Sequence, residues 1–207
     1  MTIYRHYVLA AGGTGGHLIP AFALGQELIN RGHHVALITD ARGAKIPGCP
    51  DKMATHLLPA GRITKKPSSW LPGILAIAQG RKMARRLYEK FEPSAVVGFG
   101  GYPAFPALLG AFAEKIPAII HEQNAIAGMT NRLLAACATH VLQAFPNAFP
   151  ASPKVMTVGN PVRQDIVSVA APEVRFAERS GAVRLLVVGG SRGAQSLNLA
   201  LPTALAA

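Results

Sequence analysis

The stretch AAGGTGGHLIPAFALGQEL, residues 10–28, joins an apolar run to a glycine turn and then to a helical pattern. Four glycines fall between Gly12 and Gly16. The preceding HYVLAA (6–11) reads as a first strand, largely apolar as a strand covered on both faces must be. A helix is predicted from about Ile19 to Asn30, with Gly32 as its C-terminal stop. At such a turn glycine lets an anion approach the backbone closely, and the first N–H groups of the helix point at it. The helix dipole favours negative charge there by about 0.3–1 kcal/mol. Neither common nucleotide motif fits. A G-x-G-x-x-G count from Gly13 meets Gly15 but ends on Leu18. A P-loop count from Gly12 ends on His17, with no Lys-Ser/Thr pair nearby.

Along the rest of the chain, strand and helix signals keep alternating. HHVALIT (33–39) and THLLPA (55–60) read as strands, and GRITKKPSSWLPG (61–73) as a loop. A basic helix is predicted from about Ile74 to Lys90. SAVVGFGG (94–101) is a strand ending in glycines, followed by a helix near Pro106–Ala113. PAIIHEQN (117–124), THVLQAF (139–145) and KVMTVGN (154–160) complete the strands. Repeated β–α alternation predicts an α/β fold with a parallel sheet covered by helices on both faces. Residues 164–182 read as a linker. VRLLVVGGSRGAQSLNLALPTALAA (183–207) then restarts the strand–glycine–helix pattern, as a second, truncated domain would.

Three glycine turns, GGTGGH (12–17), GFGGYP (98–103) and GGSRGA (189–194), each follow an apolar strand. Ligands of open parallel sheets bind at that C-terminal edge. Two turns in one domain and one opening the next predict a cleft with diphosphate groups on both sides.

The 207 residues are half hydrophobic, and the formal net charge is +11. Cys49 and Cys137, far apart, form neither a disulfide framework nor a metal site, as expected in a reducing cytosol. The short N-terminal apolar run is read as a strand, not a signal peptide, and no apolar run is long enough to span a membrane. Between Arg62 and Lys90 lie eight Lys or Arg and one acid, Glu89, a local excess of +7. Arg81, Lys82, Arg85 and Arg86 form a cationic face, with Trp70 and Leu71 as apolar anchors just before it. That pairing suits an anionic membrane surface; the alternative is a solvated basic helix whose apolar residues are core. Nucleic acid is disfavoured, since aromatics make up 6% of the chain and are not interleaved with the basic residues.

GGTGGH, GGYP, HEQNAIAGMTN, GNPVR and GGSRGAQSLN occur in this order, and together they resemble the MurG family of N-acetylglucosaminyltransferases. The resemblance implies a GT-B arrangement of two Rossmann-like domains. The acceptor and membrane-binding domain would span residues 1–163, and the linker with the start of a donor-binding domain 164–207. It implies inverting, metal-independent transfer from UDP-N-acetylglucosamine to lipid I, forming lipid II for peptidoglycan, with no cofactor. The implied location is peripheral, on the cytoplasmic face of the inner membrane, with other cell-wall synthesis proteins as candidate partners. The 207 residues alone are expected to have little activity. Carried over residue by residue, Thr14, Gly15, Gly16, Asn124, Arg163 and Ser191 match substrate-contacting positions. Tyr102, His121 and Asn198 match supporting ones. Ala104 stands where relatives often carry Ser, and Arg192 where Gln is common.

Inversion by direct displacement needs a base for the acceptor hydroxyl. His17 and Glu122 are the two candidates: histidine changes charge near neutral pH, and a carboxylate in a cleft can have its pKa raised. Two competing readings are a Rossmann oxidoreductase, with Asp40 at the end of strand two as ribose holder, and a non-catalytic membrane-docking domain.

Overall fold

The computed structural model describes residues 4–59, 67–189 and 194–206. The chain divides into two compact units, Met1–Ser168 and Val169–Ala207. In the first, β1 (His6–Ala11), β2 (His34–Thr39), β3 (Ala54–Leu57), β4 (Ala95–Gly100), β5 (Ala118–Glu122), β6 (His140–Gln143) and β7 (Val155–Thr157) form one sheet. Its order is β3-β2-β1-β4-β5-β6-β7, and every pairing is parallel. This is the expected Rossmann-like α/β architecture.

The helices follow from where apolar residues recur. In α1 (Gly15–Asn30) the buried residues are Leu18, Ala21, Phe22 and Gly25, one stripe at helical spacing. They pack with Leu9, Leu37, Val97 and Phe99 on one face of the sheet. On the other face Val8, Val96, Ile120 and Val141 pack with residues of α2 (Trp70–Phe91), α3 (Ala104–Ala113) and α4 (Met129–Leu134). α2 and α3 approach closely through small residues: a Cβ at Gly110 would lie 3.3 Å from that of Ala84. Buried Tyr88 donates its hydroxyl to the Ala107 carbonyl at 2.9 Å.

Three boundaries differ from the sequence reading. α1 begins at Gly15, not near Ile19, so the last two glycines form its first turn. Thr14 is extended there (φ −144°, ψ 159°) as the N-cap residue. Glycine costs about 1 kcal/mol inside a helix, but the apolar stripe just beyond secures this one. α2 begins at Trp70, which places Trp70 and Leu71 inside the helix and not in the loop before it. Finally, residues 183–189 form no strand; Val183 is 97% and Leu186 84% exposed. Unit one closes with the short α5 (Gln164–Val167); a strand needs a neighbour to pair with, and unit two offers none among its described residues, only α6 (Pro172–Phe176) and α7 (Gln195–Leu205).

The strand order reverses between β1 and β4, the point where an open α/β sheet leaves a crevice at its carboxyl edge. Ala10 faces Gly98, but Ala11 faces Gly100, so one extra β4 residue is accommodated at this edge. The two glycine loops then meet. A Cβ on Gly101 (φ +81°) would lie 2.4 Å from the Gly12 carbonyl oxygen, and one on Gly12 would lie 2.5 Å from the Pro103 ring. No side chain fits between these backbones.

Candidate active site

His17 occupies the first turn of α1 at this crevice, half-buried. Its ring lies over the β4 loop: a Cβ on Gly100 would be 3.2 Å from His17 Cε1 and 3.4 Å from Asn131 Nδ2. The N–H groups of Gly15 and Gly16, at the helix start, have no intrahelical acceptor. Thr14 is exposed beside them. Asp40 closes the other side of the loop. Its Oδ1 accepts from Gly43 N at 2.7 Å and from Gly13 N at 3.4 Å, while Arg42 pairs with Oδ2 at 3.3 Å.

β5 and the HEQN segment that it enters supply the rest. Successive residues of an extended segment point to opposite faces. His121 and Gln123 turn toward the α1 side, where the His121 ring lies 5.3 Å from that of Phe99. Glu122 turns toward α4. Gln123 Oε1 meets His17 Nδ1 at 2.9 Å, and Gln123 Nε2 lies 2.7 Å from the His121 carbonyl and 3.1 Å from His121 Nδ1. His121 Nε2 lies 3.0 Å from the Gly159 carbonyl. Burial pushes the His121 pKa down; the Gly159 carbonyl and the Glu122 charge pull it up, and the net direction is down.

Glu122 is fully buried and accepts four hydrogen bonds. Oε1 takes Asn124 N at 3.0 Å and Asn124 Nδ2 at 2.9 Å; Oε2 takes Gly128 N and Asn131 Nδ2, each at 2.9 Å. Burial pushes its carboxyl pKa up, but these four donors outweigh burial and the net shift is downward. The raised value foreseen for a carboxylate in a cleft is therefore reversed, because the 124–128 loop and Asn131 of α4 together supply a donor for each lone pair that burial strips of water.

Residues 7–143 match the model of the glycosyltransferase family 28 N-terminal domain. The chain belongs to glycosyltransferase family 28. It is 57% identical over 210 residues to a transferase of Novosphingobium aromaticivorans, covering 99% of this chain and 54% of that protein. It is 56% identical over 207 residues to one of Erythrobacter litoralis, covering 98% and 52%. Both relatives are named UDP-N-acetylglucosamine–N-acetylmuramyl-(pentapeptide) pyrophosphoryl-undecaprenol N-acetylglucosamine transferase. The crystal structure of Acinetobacter baumannii MurG superposes with a TM-score of 0.76 at 34% identity, covering 97% of this chain and 56% of that one. The chain thus spans about half the length of the curated relatives it matches.

Within this family 28 domain the fold gathers Thr14, Gly15, Gly16, His17, Tyr102, His121, Glu122 and Asn124 at the carboxyl edge of the sheet. Tyr102 is exposed in the β4 loop. Asn124 is exposed, with Nδ2 committed to Glu122. Arg163 is placed elsewhere. It lines a cavity of about 450 Å³ with Phe22, Gln26 and Asn30, two to four turns along α1 from the glycines, and pairs with Asp165 at 3.6 Å. Asn198 lies in α7 of the second unit. Ser191 and Arg192 lie outside the described residues. Ala104 is buried as the first residue of α3, packed in the core. Asp40, the ribose holder of the oxidoreductase reading, spends its carboxylate on its own loop, and family 28 membership replaces that reading. Sequence reading passed over Gln123 and Asn131, although both lie in the quoted HEQNAIAGMTN. The period-two alternation that pairs His121 with Gln123 was the available signal.

Proposed function

We propose that this domain carries the acceptor side of an inverting N-acetylglucosaminyltransferase that uses UDP-N-acetylglucosamine and undecaprenyl-diphosphate-linked N-acetylmuramyl-pentapeptide. The observation that carries the reading is the pair of roles that the crevice separates. His17 stands half-exposed between two glycine loops, while Glu122, the rival candidate base, is buried under four donors. The acceptor hydroxyl oxygen attacks the anomeric carbon, and its proton passes to His17. The bond from that carbon to the donor diphosphate breaks, and UDP leaves with the electron pair. Amides of the Thr14–Gly16 turn and the dipole of α1 stabilise diphosphate charge without reorganising. Glu122 shapes the 122–128 loop and presents Asn124. The relatives' names and the glycine-loop geometry support this reading. The test is a chimera joining this chain to the part of the Novosphingobium relative outside the match. It is expected to form lipid II from UDP-N-acetylglucosamine and lipid I, and the 207-residue chain alone to form little. A chimera that folds, binds neither substrate and transfers nothing would sink the proposal and favour a docking role.

The lipid-linked acceptor requires docking at a membrane, and we place that on α2. Trp70, Leu71, Ile74 and Leu75 are each more than half exposed, so they are not the core residues that a merely solvated basic helix would bury. The cationic face follows within the same helix, although Arg85 is ion-paired with Glu114 of the α3 end and is partly neutralised. No helix among the described residues is long and apolar enough to cross a membrane. We infer peripheral docking at the cytoplasmic leaflet from the exposed apolar and cationic residues of α2, at roughly 1 kcal/mol per engaged cation. Changing Arg81, Lys82 and Arg86 to Gln is expected to weaken sedimentation with anionic vesicles at least tenfold at low salt. Adding Arg85→Gln should weaken it less than each of the others does. Unchanged sedimentation would rule the patch out.

A further inference from the structure

We propose that Gln123 and His121 form a relay that fixes the tautomer of His17, holding its proton on Nδ1 and leaving Nε2 as the basic nitrogen. The inference rests on the reading of His17 as the base for its purpose, but the tautomer follows from hydrogen-bond chemistry alone.

The chain of bonds has one consistent direction. At its far end His121 Nε2 faces the Gly159 carbonyl at 3.0 Å. A carbonyl only accepts, so that nitrogen carries hydrogen, and in a neutral ring Nδ1 is then the acceptor. Burial favours that neutral ring. Gln123 is fixed next. One end of its amide lies 2.7 Å from the His121 carbonyl, which must face the NH₂ group, since two carbonyl oxygens would repel there. The second hydrogen of that NH₂ reaches His121 Nδ1 at 3.1 Å. The amide therefore cannot be turned over, and Oε1 is the atom that meets His17 Nδ1 at 2.9 Å. An amide oxygen only accepts, so His17 Nδ1 must be the donor. With one proton on the ring, Nε2 holds the lone pair.

The relay is also braced from outside. Asn160 Nδ2 donates to the Gln123 carbonyl at 3.2 Å, and Asn131 Nδ2 to the His121 carbonyl at 3.3 Å. Asn160 follows β7 and Asn131 lies in α4, so two separate elements hold the carbonyls of the His121–Gln123 segment. The consequence for proton transfer is specific. Nε2 takes the acceptor hydroxyl proton, while Nδ1–H keeps its bond to Gln123 and the imidazolium is held without moving the ring. Gln123 and His121 are positioning residues that act through His17, as an orienting group does behind any catalytic histidine.

The test is long-range ¹H–¹⁵N correlation of the chain carrying ¹⁵N-histidine, with His17 assigned from a His17→Ala sample. The expected spectrum shows His17 protonated on Nδ1 and His121 on Nε2. Gln123→Leu, which keeps bulk and removes the acceptor, is expected to move His17 to the Nε2–H form. Wild-type His17 in the Nε2–H form would overturn the relay, as would a folded Gln123→Leu variant with the tautomer unmoved. The wild-type spectrum decides even if that variant fails to fold. In the chimera, Gln123→Leu should lower kcat roughly 10–100-fold, by analogy with the partner groups that orient metal-bound histidines, with KM little changed. Should the spectrum come out as expected while His17→Ala keeps full turnover, the relay stands and the assignment of His17 as base falls.

Discussion

A His17→Ala chimera is expected to lose roughly 10²–10⁴-fold in kcat, the range that a positioned general base contributes, with KM for UDP-N-acetylglucosamine nearly unchanged. His17 is the half-buried imidazole wedged between the two glycine loops, with Gly100 directly beneath its ring. Removing the ring deletes the proton acceptor but leaves the backbone amides of Thr14–Gly16 in place. Ground-state binding of the diphosphate depends on those amides, so the effect falls on kcat. The substitution is structurally mild. Alanine is the best helix former, and the apolar stripe begins at Leu18, one residue later. Urea midpoints of the wild-type and His17→Ala chains should therefore differ by no more than loss of the single hydrogen bond to Gln123 accounts for, about 1–3 kcal/mol. A kcat loss below about threefold in the chimera, with folding intact, would mean that the proton leaves by another route.

What the sequence made legible was set by periodicity. Largely apolar strands and the glycines behind β1 and β4 predicted a parallel sheet with a ligand edge, and the seven strands lie where those runs lie. Ends were harder. Gly15 and Gly16 look like helix breakers in isolation, and only the burial of Leu18 and Phe22 against the sheet carries α1 back to Gly15. The run at 183–189 shows the converse: strong strand propensity without a paired neighbour makes no strand. At the site, residue types were legible but their partners were not. His17 and Gln123 are 106 positions apart, and their contact exists only because β1 and β5 are both brought to one edge. Arg163 looked suited to a phosphate by type, yet the β7 loop sets it beside the later turns of α1.

Glu122→Gln is expected to destabilise the chain by about 3 kcal/mol and to cost transfer activity only indirectly. The two oxygens of Glu122 are equivalent in their demands, since each faces two N–H donors. A glutamine can satisfy one pair with its oxygen. Its NH₂ must then confront the other pair, donor against donor, in a fully buried site. Each buried donor left unpaired costs about 1–3 kcal/mol, so two of them give the stated size. The pH dependence identifies the cause. The folded pKa of Glu122 is lowered, so its contribution is fully present above the ordinary carboxylate value of about 4.3 and is lost as pH falls through the folded value. The stability gap between wild type and Glu122→Gln in urea unfolding should hold steady from neutral pH to about pH 5 and narrow in acid below the ordinary value. A general base would behave differently: its amide would fold as well as wild type and abolish turnover. A Glu122→Gln chimera with wild-type stability and lost kcat would therefore reverse the two roles, making Glu122 the base. Loss of stability with residual kcat in the folded fraction would fix it as the group that holds the 122–128 loop under the acceptor.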